Sequence, residues 1–398
     1  MPGRRRLFAR IVLPLWLLGG IAGATSLPEG AAVIALDADS GEILRLDNLP
    51  AATAAYPPGS LIKVFTALLA CEDGAIDPAW RYYCRGEAMI DGRRQSCWLK
   101  GGHGPVNLAK ALALSCNLYF LDLAGKLGPD RLREFFAQAG LGRNTGSDLP
   151  GEENGHLPPG WTQAEAALAG AGMSARVQVT PCQMAAGFAA LINGGWIPNP
   201  HQTAGELGQR RPFSTPAALS RVRQALREGS TYGTTKGFLA ATGGFAKTGT
   251  AAWEEGYHTS AWTAACFEAG GRKVSLVVYL PEGQGGRDAL PLATEVARQM
   301  QSPPPAPAAS PTIAVSLFSL LAPKELAVSA PAGWVEFDGG GDSRSSPSLS
   351  IRVAASGQLR VVTRDGPLPE PPPSLRLTGT TGELTLDVAG LPPRRISG

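Results

Sequence analysis

Three short runs pair a hydroxyl with an amine or an amide at spacings that could activate it. Ser60-Leu61-Ile62-Lys63 places an amine three residues after a serine. Ser115-Cys116-Asn117 sets a hydroxyl and a carboxamide two positions apart, and Lys247-Thr248-Gly249-Thr250 combines an amine, two hydroxyls and a glycine. A serine hydroxyl alone is a poor nucleophile and needs a base in reach. Positions i and i+3 of a helix share a face, so Lys63 would stand beside Ser60. A lysine serves as base only when neutral, a form that burial and a like charge both favour, and Lys247 could supply that charge. A helix N-terminus at Ser60 would favour negative charge developing there. Ser115 could relay a proton and Asn117 bind an amide. Gly249 would leave room for a backbone lying along a strand edge. The N–H groups of Ser60 and Thr250 could hold an oxyanion. Each run alone is common by chance; the three in this order are a specific signal.

The elements that must position these residues follow from the hydrophobic pattern. Residues 31–48 read as two strands around Asp39-Ser40-Gly41. A helix is predicted from Ser60 to about Cys71, with further helices over 106–125, 130–139, 164–170, 181–193, 216–228 and 290–300. Strands return at 245–252, 260–268 and 273–280. Strands at both ends with helices between predict an α+β domain whose antiparallel sheet joins the two ends of residues 31–298. Residues 302–311 read as a proline-rich linker. Residues 312–398, with short alternating runs broken by Gly and Pro, read as a small all-β accessory module.

Charge and cysteine content narrow the function classes. The chain has 398 residues, 36 bases and 33 acids. Arg4, Arg5, Arg6 and Arg10 precede an apolar run, 11–24, that ends in Ala22-Gly23-Ala24. That layout is an export signal, a signal peptide or membrane anchor over 1–24, and it places the body outside the cytoplasm. Without it 32 bases face 33 acids, so nucleic acid is not an expected partner. About six residues separate the cleavage pattern from the first strand, so no N-terminal pedestal is expected. An oxidising compartment permits disulfides. Of six cysteines, Cys84 and Cys97 flank a polar, Gly-containing stretch and form the candidate disulfide pair, while the other four lie in apolar segments. No Cys-x-x-Cys and no His/Cys pairing at zinc spacing occurs, so neither a metal nor a cofactor is expected. His103 reads as a structural loop histidine, and Glu152 and Glu153 as turn residues after Leu149-Pro150-Gly151.

With these runs in view, the chain resembles the penicillin-binding protein transpeptidase family, within the wider group of serine acyl-enzymes that includes serine β-lactamases. Further stretches carry the likeness: YPPGSLIKVFTALLA, GHGPVNLAKALALSCNLYF, DLPGEENGHLP, VTPCQMAAGFAALINGGWI and HTSAWTAACF. The resemblance implies a mostly antiparallel sheet flanked by helices, with a helical lobe and a cleft between. It implies Ser60 as acylated nucleophile, Lys63 as general base and Ser115 as proton carrier to the leaving amine. Asn117 would hold the substrate backbone, Lys247 and Thr248 its carboxylate, and Gly249 and Thr250 would line the edge strand. The implied substrates are peptidoglycan stem peptides ending in D-Ala-D-Ala, with β-lactams as mimics. Ser174-Ala175 stand where the family often has Gln-Gly, which bears on the acceptor side.

The expected function is therefore a peptidoglycan DD-transpeptidase. The alternatives are a DD-carboxypeptidase or β-lactamase-like hydrolase, and a non-catalytic penicillin-binding scaffold. Residues 312–398 weakly resemble the N-terminal part of stage II sporulation protein D and amidase enhancers, implying contact with the wall or with other cell-wall enzymes.

Overall fold

The computed structural model describes residues 27–252 and 258–302, Pro78 excepted, with the backbone of short strands between Glu325 and Ser397. The predicted export segment and residues 303–311 of the predicted linker lie outside the described residues. The chain divides into two units, Met1–Pro303 and Pro304–Gly398. In the second unit the described strands pair into a six-stranded and a three-stranded sheet, in keeping with an all-β module. Among the described residues no helix is long and apolar enough to cross a membrane.

The first unit begins with β1 (Ala32–Asp37) and β2 (Ile43–Asp47). The Asp37 carboxylate accepts from the amides of Asp39 and Ser40, which fixes the turn between them. A short helix α1 (Leu49–Thr53) leads to a tight 3-10 turn, Gly59–Ile62, that runs straight into α2 (Lys63–Glu72). Next come β3 (Tyr82–Cys84), the hairpin β4 (Glu87–Ile90) and β5 (Arg93–Ser96), and β6 (Gly104–Val106). The helical lobe is α3 (Leu108–Ala113), α4 (Asn117–Leu127), α5 (Pro129–Gln138), α6 (Gln163–Gly170) and α7 (Pro181–Asn193). Then follow β7 (Trp196–Pro198), β8 (Arg210–Pro212), α8 (Pro216–Tyr232) and α9 (Phe238–Thr242). The chain returns through β9 (Phe245–Ala252), β10 (Thr259–Ala269), β11 (Arg272–Leu280) and α10 (Leu290–Gln301).

The sheet order is β2-β1-β11-β10-β9, antiparallel throughout. The first strand thus pairs with the last, as predicted, and β9 is left at an edge. Strand periodicity splits the apolar residues between two faces. Ala32, Ile34 and Leu36 join Trp262, Cys266 and Tyr279 against α2, α4 and α7. Val33, Ala35, Leu276 and Val278 pack on α10 through Ala293, Val296 and Ala297. A reciprocal cap starts α7: Thr180 Oγ1 accepts from the Gln183 amide at 3.0 Å, and Gln183 Oε1 accepts from the Thr180 amide at 3.2 Å. Gln183 Nε2 then donates to the carbonyls of Arg143 and Asn154, tying a lobe loop to that helix.

Two differences from the sequence reading matter for the site. The helix predicted over 106–125 is broken at Leu114–Cys116, which puts Ser115 in the break between α3 and α4. The predicted disulfide is absent: Cys84 and Cys97 are both free thiols.

Candidate active site

Ser60 lies in the 3-10 turn and Lys63 is the first residue of α2. Their side chains meet: Lys63 Nζ is 2.6 Å from Ser60 Oγ. Lys63 Nζ also donates to Asn117 Oδ1 at 2.8 Å. Lys63 is fully buried, and that burial brings its pKa down to about 7, against a smaller upward pull from the nearby Cys116 and Cys97 thiols. At neutral pH a large fraction of the amine is therefore unprotonated and able to accept the Ser60 proton. The two amines repel each other, and the Lys247 pKa is held well below the usual range by burial first and by Lys63 second.

Lys247 reaches from β9 to the second serine. Its Nζ donates to Ser115 Oγ at 2.9 Å and to the Thr248 carbonyl at 2.7 Å. Ser115 is buried and holds a left-handed backbone, φ 53°. Such a conformation costs a non-glycine residue about 1 kcal/mol or more and persists only where surroundings enforce it. Here the Ser115 amide donates to Leu112 O at 3.2 Å and the Cys116 amide to Ala111 O at 2.8 Å. Asn117 follows as the first residue of α4; besides accepting from Lys63, it donates through Nδ2 to Ser96 O at 3.4 Å. Two hydroxyl–amine pairs thus lie side by side, joined by the Ser115-Cys116-Asn117 turn.

The turn bearing Ser60 is pressed against β9 by three glycines. A methyl at Gly59 (φ 55°) would stand 2.6 Å from Thr250 O and 3.0 Å from Thr250 N. A methyl at Gly172 (φ 68°) would overlap the Gly59 carbonyl and reach 3.0 Å from Ser60 N. A methyl at Gly249 would be 2.6 Å from Pro58 O. A side chain at Gly249 is therefore excluded by the Ser60 turn packed against it. Gly59 and Gly172 carried no sequence signal that singled them out, because only the tertiary fold brings their backbones together. Behind β9 a wide π-type turn, Gly285–Ala289, closes the support, and the Gly285 amide donates to Thr250 Oγ1 at 3.0 Å.

A second cluster adjoins the site. The side-chain donor atoms of Cys84, Cys97, His103 and Cys116 all lie within 4.8 Å of one another. His103 Nδ1 is 3.4 Å from Cys97 Sγ and 3.7 Å from Cys84 Sγ. Cys97 Sγ and Cys116 Sγ are 4.0 Å apart, and this coupled contact pushes the Cys97 pKa down and the Cys116 pKa up. Three thiols and one imidazole are the soft donor set and the count that suit a structural zinc ion. The sequence reading expected no metal because the four donors come from four segments: the end of β3, the residue after β5, the residue before β6 and the residue before α4. His103 is indeed in a loop, but as a member of this cluster. Glu152 accepts from Thr145 Oγ1 and Ser147 Oγ, both at 2.7 Å, and Glu153 from the Ala55 amide at 2.8 Å, which makes both turn fasteners.

The fold and the site together bring a serine, an adjoining buried amine, a second serine–lysine pair and an edge strand into one place. Residues 31–301 match the family described as penicillin binding protein transpeptidase domain, and the chain belongs to that family. It is 31% identical over 194 residues to stage V sporulation protein D of Bacillus subtilis, covering 44% of this chain and 30% of that one. It is 29% identical over 225 residues to peptidoglycan D,D-transpeptidase MrdA of Escherichia coli K12, covering 50% and 35%. The chain thus spans about a third of the length of the curated relatives it matches. The fold is similar to the transpeptidase domain of Burkholderia pseudomallei penicillin-binding protein 3, with a TM-score of 0.61, 20% identity, and 69% of this chain and 90% of that one covered.

Proposed function

We propose that the protein is an exported peptidoglycan DD-transpeptidase that forms an ester on Ser60. The observation that carries this reading is the 2.6 Å contact between Ser60 Oγ and a buried Lys63 amine whose pKa is near 7. Lys63 takes the Ser60 proton as the hydroxyl attacks the penultimate D-alanine carbonyl. The oxyanion is met by the N–H groups of Ser60 and Thr250, which the Gly59 contact brings close together. The Lys247–Ser115 pair returns a proton to the departing D-alanine amine. Lys247 is buried and engaged with Ser115, so the substrate carboxylate falls chiefly to the hydroxyls of Thr248 and Thr250. Asn117 keeps Lys63 in place before substrate arrives and holds the substrate backbone afterwards. An acceptor amine then takes the acyl group. A β-lactam follows the same path as far as the ester.

Hydrolysis would share the first half and use water as acceptor. Glu152 and Glu153 are held in turns by their hydrogen bonds and supply no base for that water. Contact with other wall-building proteins is assigned to residues 312–398.

Fluorescent penicillin should label the wild type and fail to label Ser60→Ala. Release of D-alanine from a stem pentapeptide should yield cross-linked product once an acceptor amine is added. Label retained by Ser60→Ala would end the reading; D-alanine release with no acceptor product would replace it with a carboxypeptidase. Removal of residues 304–398 should abolish retention of the chain on partner wall proteins while leaving penicillin labelling intact.

A further inference from the structure

The cysteine cluster touches the catalytic turn through one covalent bond on each side of Cys116. We propose that Cys97 and Cys116 form a peroxide-driven disulfide that disables the Ser115–Asn117 turn and so switches off acylation of Ser60. The inference rests on the reading of Ser60 given above, and its test separates the two.

Geometry selects the pair. The two sulfurs are 4.0 Å apart and unbonded. A disulfide needs about 2.0 Å, so they must close about half the gap. Cys84 and Cys97 both approach His103 Nδ1, at 3.7 and 3.4 Å, and all four donor atoms lie within 4.8 Å of one another, so the pair is chosen by its sulfur–sulfur contact alone. Access selects the order of events. Cys97 is 7% exposed, whereas Cys84 and Cys116 are fully buried, so a small oxidant meets Cys97 first.

The chemistry balances with hydrogen peroxide as the oxidant. The Cys97 sulfur attacks one peroxide oxygen, the O–O bond breaks, and the departing oxygen leaves as water, giving Cys97 sulfenic acid. The Cys116 sulfur then attacks that sulfur, the S–O bond breaks and a second water leaves. Two thiol hydrogens and two electrons pass from the protein to the peroxide.

The consequence follows from what each cysteine is tied to. Cys116 is anchored by its amide to Ala111 O and is flanked by Ser115, which holds Lys247, and Asn117, which holds Lys63. Cys97 is anchored by its amide to Gly86 O and follows Ser96, whose carbonyl meets Asn117 Nδ2. Whichever strand yields, a contact to Asn117 changes. A displacement of about 1 Å in a catalytic group can cost on the order of a hundredfold in rate. A divalent ion held by the four donors would withdraw the same sulfurs from this reaction.

The test uses the full chain, reduced and chelator-treated, exposed to graded hydrogen peroxide. Peptide mapping by mass spectrometry reads the linkage, and fluorescent penicillin reads the acylation rate. The expected result is a Cys97–Cys116 cross-link accompanied by at least about a tenfold slower labelling, reversed by dithiothreitol. Zinc added first should slow the cross-link. Cys84→Ser should keep both the link and the loss, and in Cys97→Ser the ratio of rates before and after peroxide should be near one. A link through Cys84, sulfinate at Cys97 without a disulfide, or a linked chain labelled at the reduced rate would each overturn the proposal. If the reduced chain takes no label, it is the Ser60 assignment that fails, and the cross-link is still read by mass.

Discussion

Two halves of the same site are built in opposite ways. Ser60 and Lys63 are three residues apart on one continuous turn, and α2 sets their contact almost unaided. Ser115 and Lys247 are 132 residues apart and meet only because a strained turn, a helix break and an edge strand converge. The cysteine cluster is assembled in the same non-local manner from four segments. A local device depends on a helix, whereas a convergent one depends on the whole domain. The first should therefore be damaged mainly by changes to its own side chains, and the second by changes to backbones that never touch a ligand.

The largest effect is expected in the local half. Ser60→Ala should lose acylation entirely, since it removes the hydroxyl that Lys63 Nζ contacts at 2.6 Å. Lys63→Met should keep the nucleophile but remove its base, slowing acylation by about 10²–10⁴-fold. Rapid-quench labelling with fluorescent penicillin measures both, and urea unfolding should show each variant folded. A Lys63→Met enzyme at full speed would mean that Lys247 is the base and that the halves have the reverse roles.

Gly172→Ala tests whether the Ser60 turn also leans on a backbone far from it in sequence, without altering any reactive group. The added methyl would overlap the Gly59 carbonyl, and the backbone there has φ 68°. A cost of about 3 kcal/mol is expected in the urea midpoint, together with slower labelling, because the displaced residue carries the Ser60 turn. A neutral Gly172→Ala would show that the packing of this turn on its neighbours is loose.

Zinc tests the second convergent cluster. At a hundredfold excess over its dissociation constant, an ion bound only by the folded chain adds about 2.7 kcal/mol. Calorimetry should show that gain for the reduced chain and its loss in Cys84→Ser. Equal melting with and without zinc would reduce the cluster to packed thiols.

The same division explains what could be read from the sequence. The five-stranded sheet, α7 at residues 181–193 and β9 at 245–252 were legible, because long periodic runs with caps carry their own signal. The Ser60–Lys63 contact was legible because its spacing is helical. The strands β3 to β8 were not, being three or four residues long with exposed arginines at Arg93, Arg94 and Arg210. The cysteine cluster was missed because Cys84, Cys97, His103 and Cys116 have no fixed spacing. The close approach of Gly249 to Pro58 was hidden for a related reason: the two are 191 positions apart in the chain.

The smallest effect separates the halves most finely. Lys63 has its pKa brought down to about 7, chiefly by burial. The neutral amine is the base, so acylation should fall about tenfold for each pH unit below about 7 and level off above it. Lys247→Met removes the second amine and its contact with Ser115 Oγ. The plateau should drop, because the proton path through Ser115 is lost, while the midpoint of the acid limb stays near 7. A midpoint moving up by a full unit in Lys247→Met would show that the neighbouring charge, rather than burial, tunes the base, and the local half would then depend on the convergent one after all.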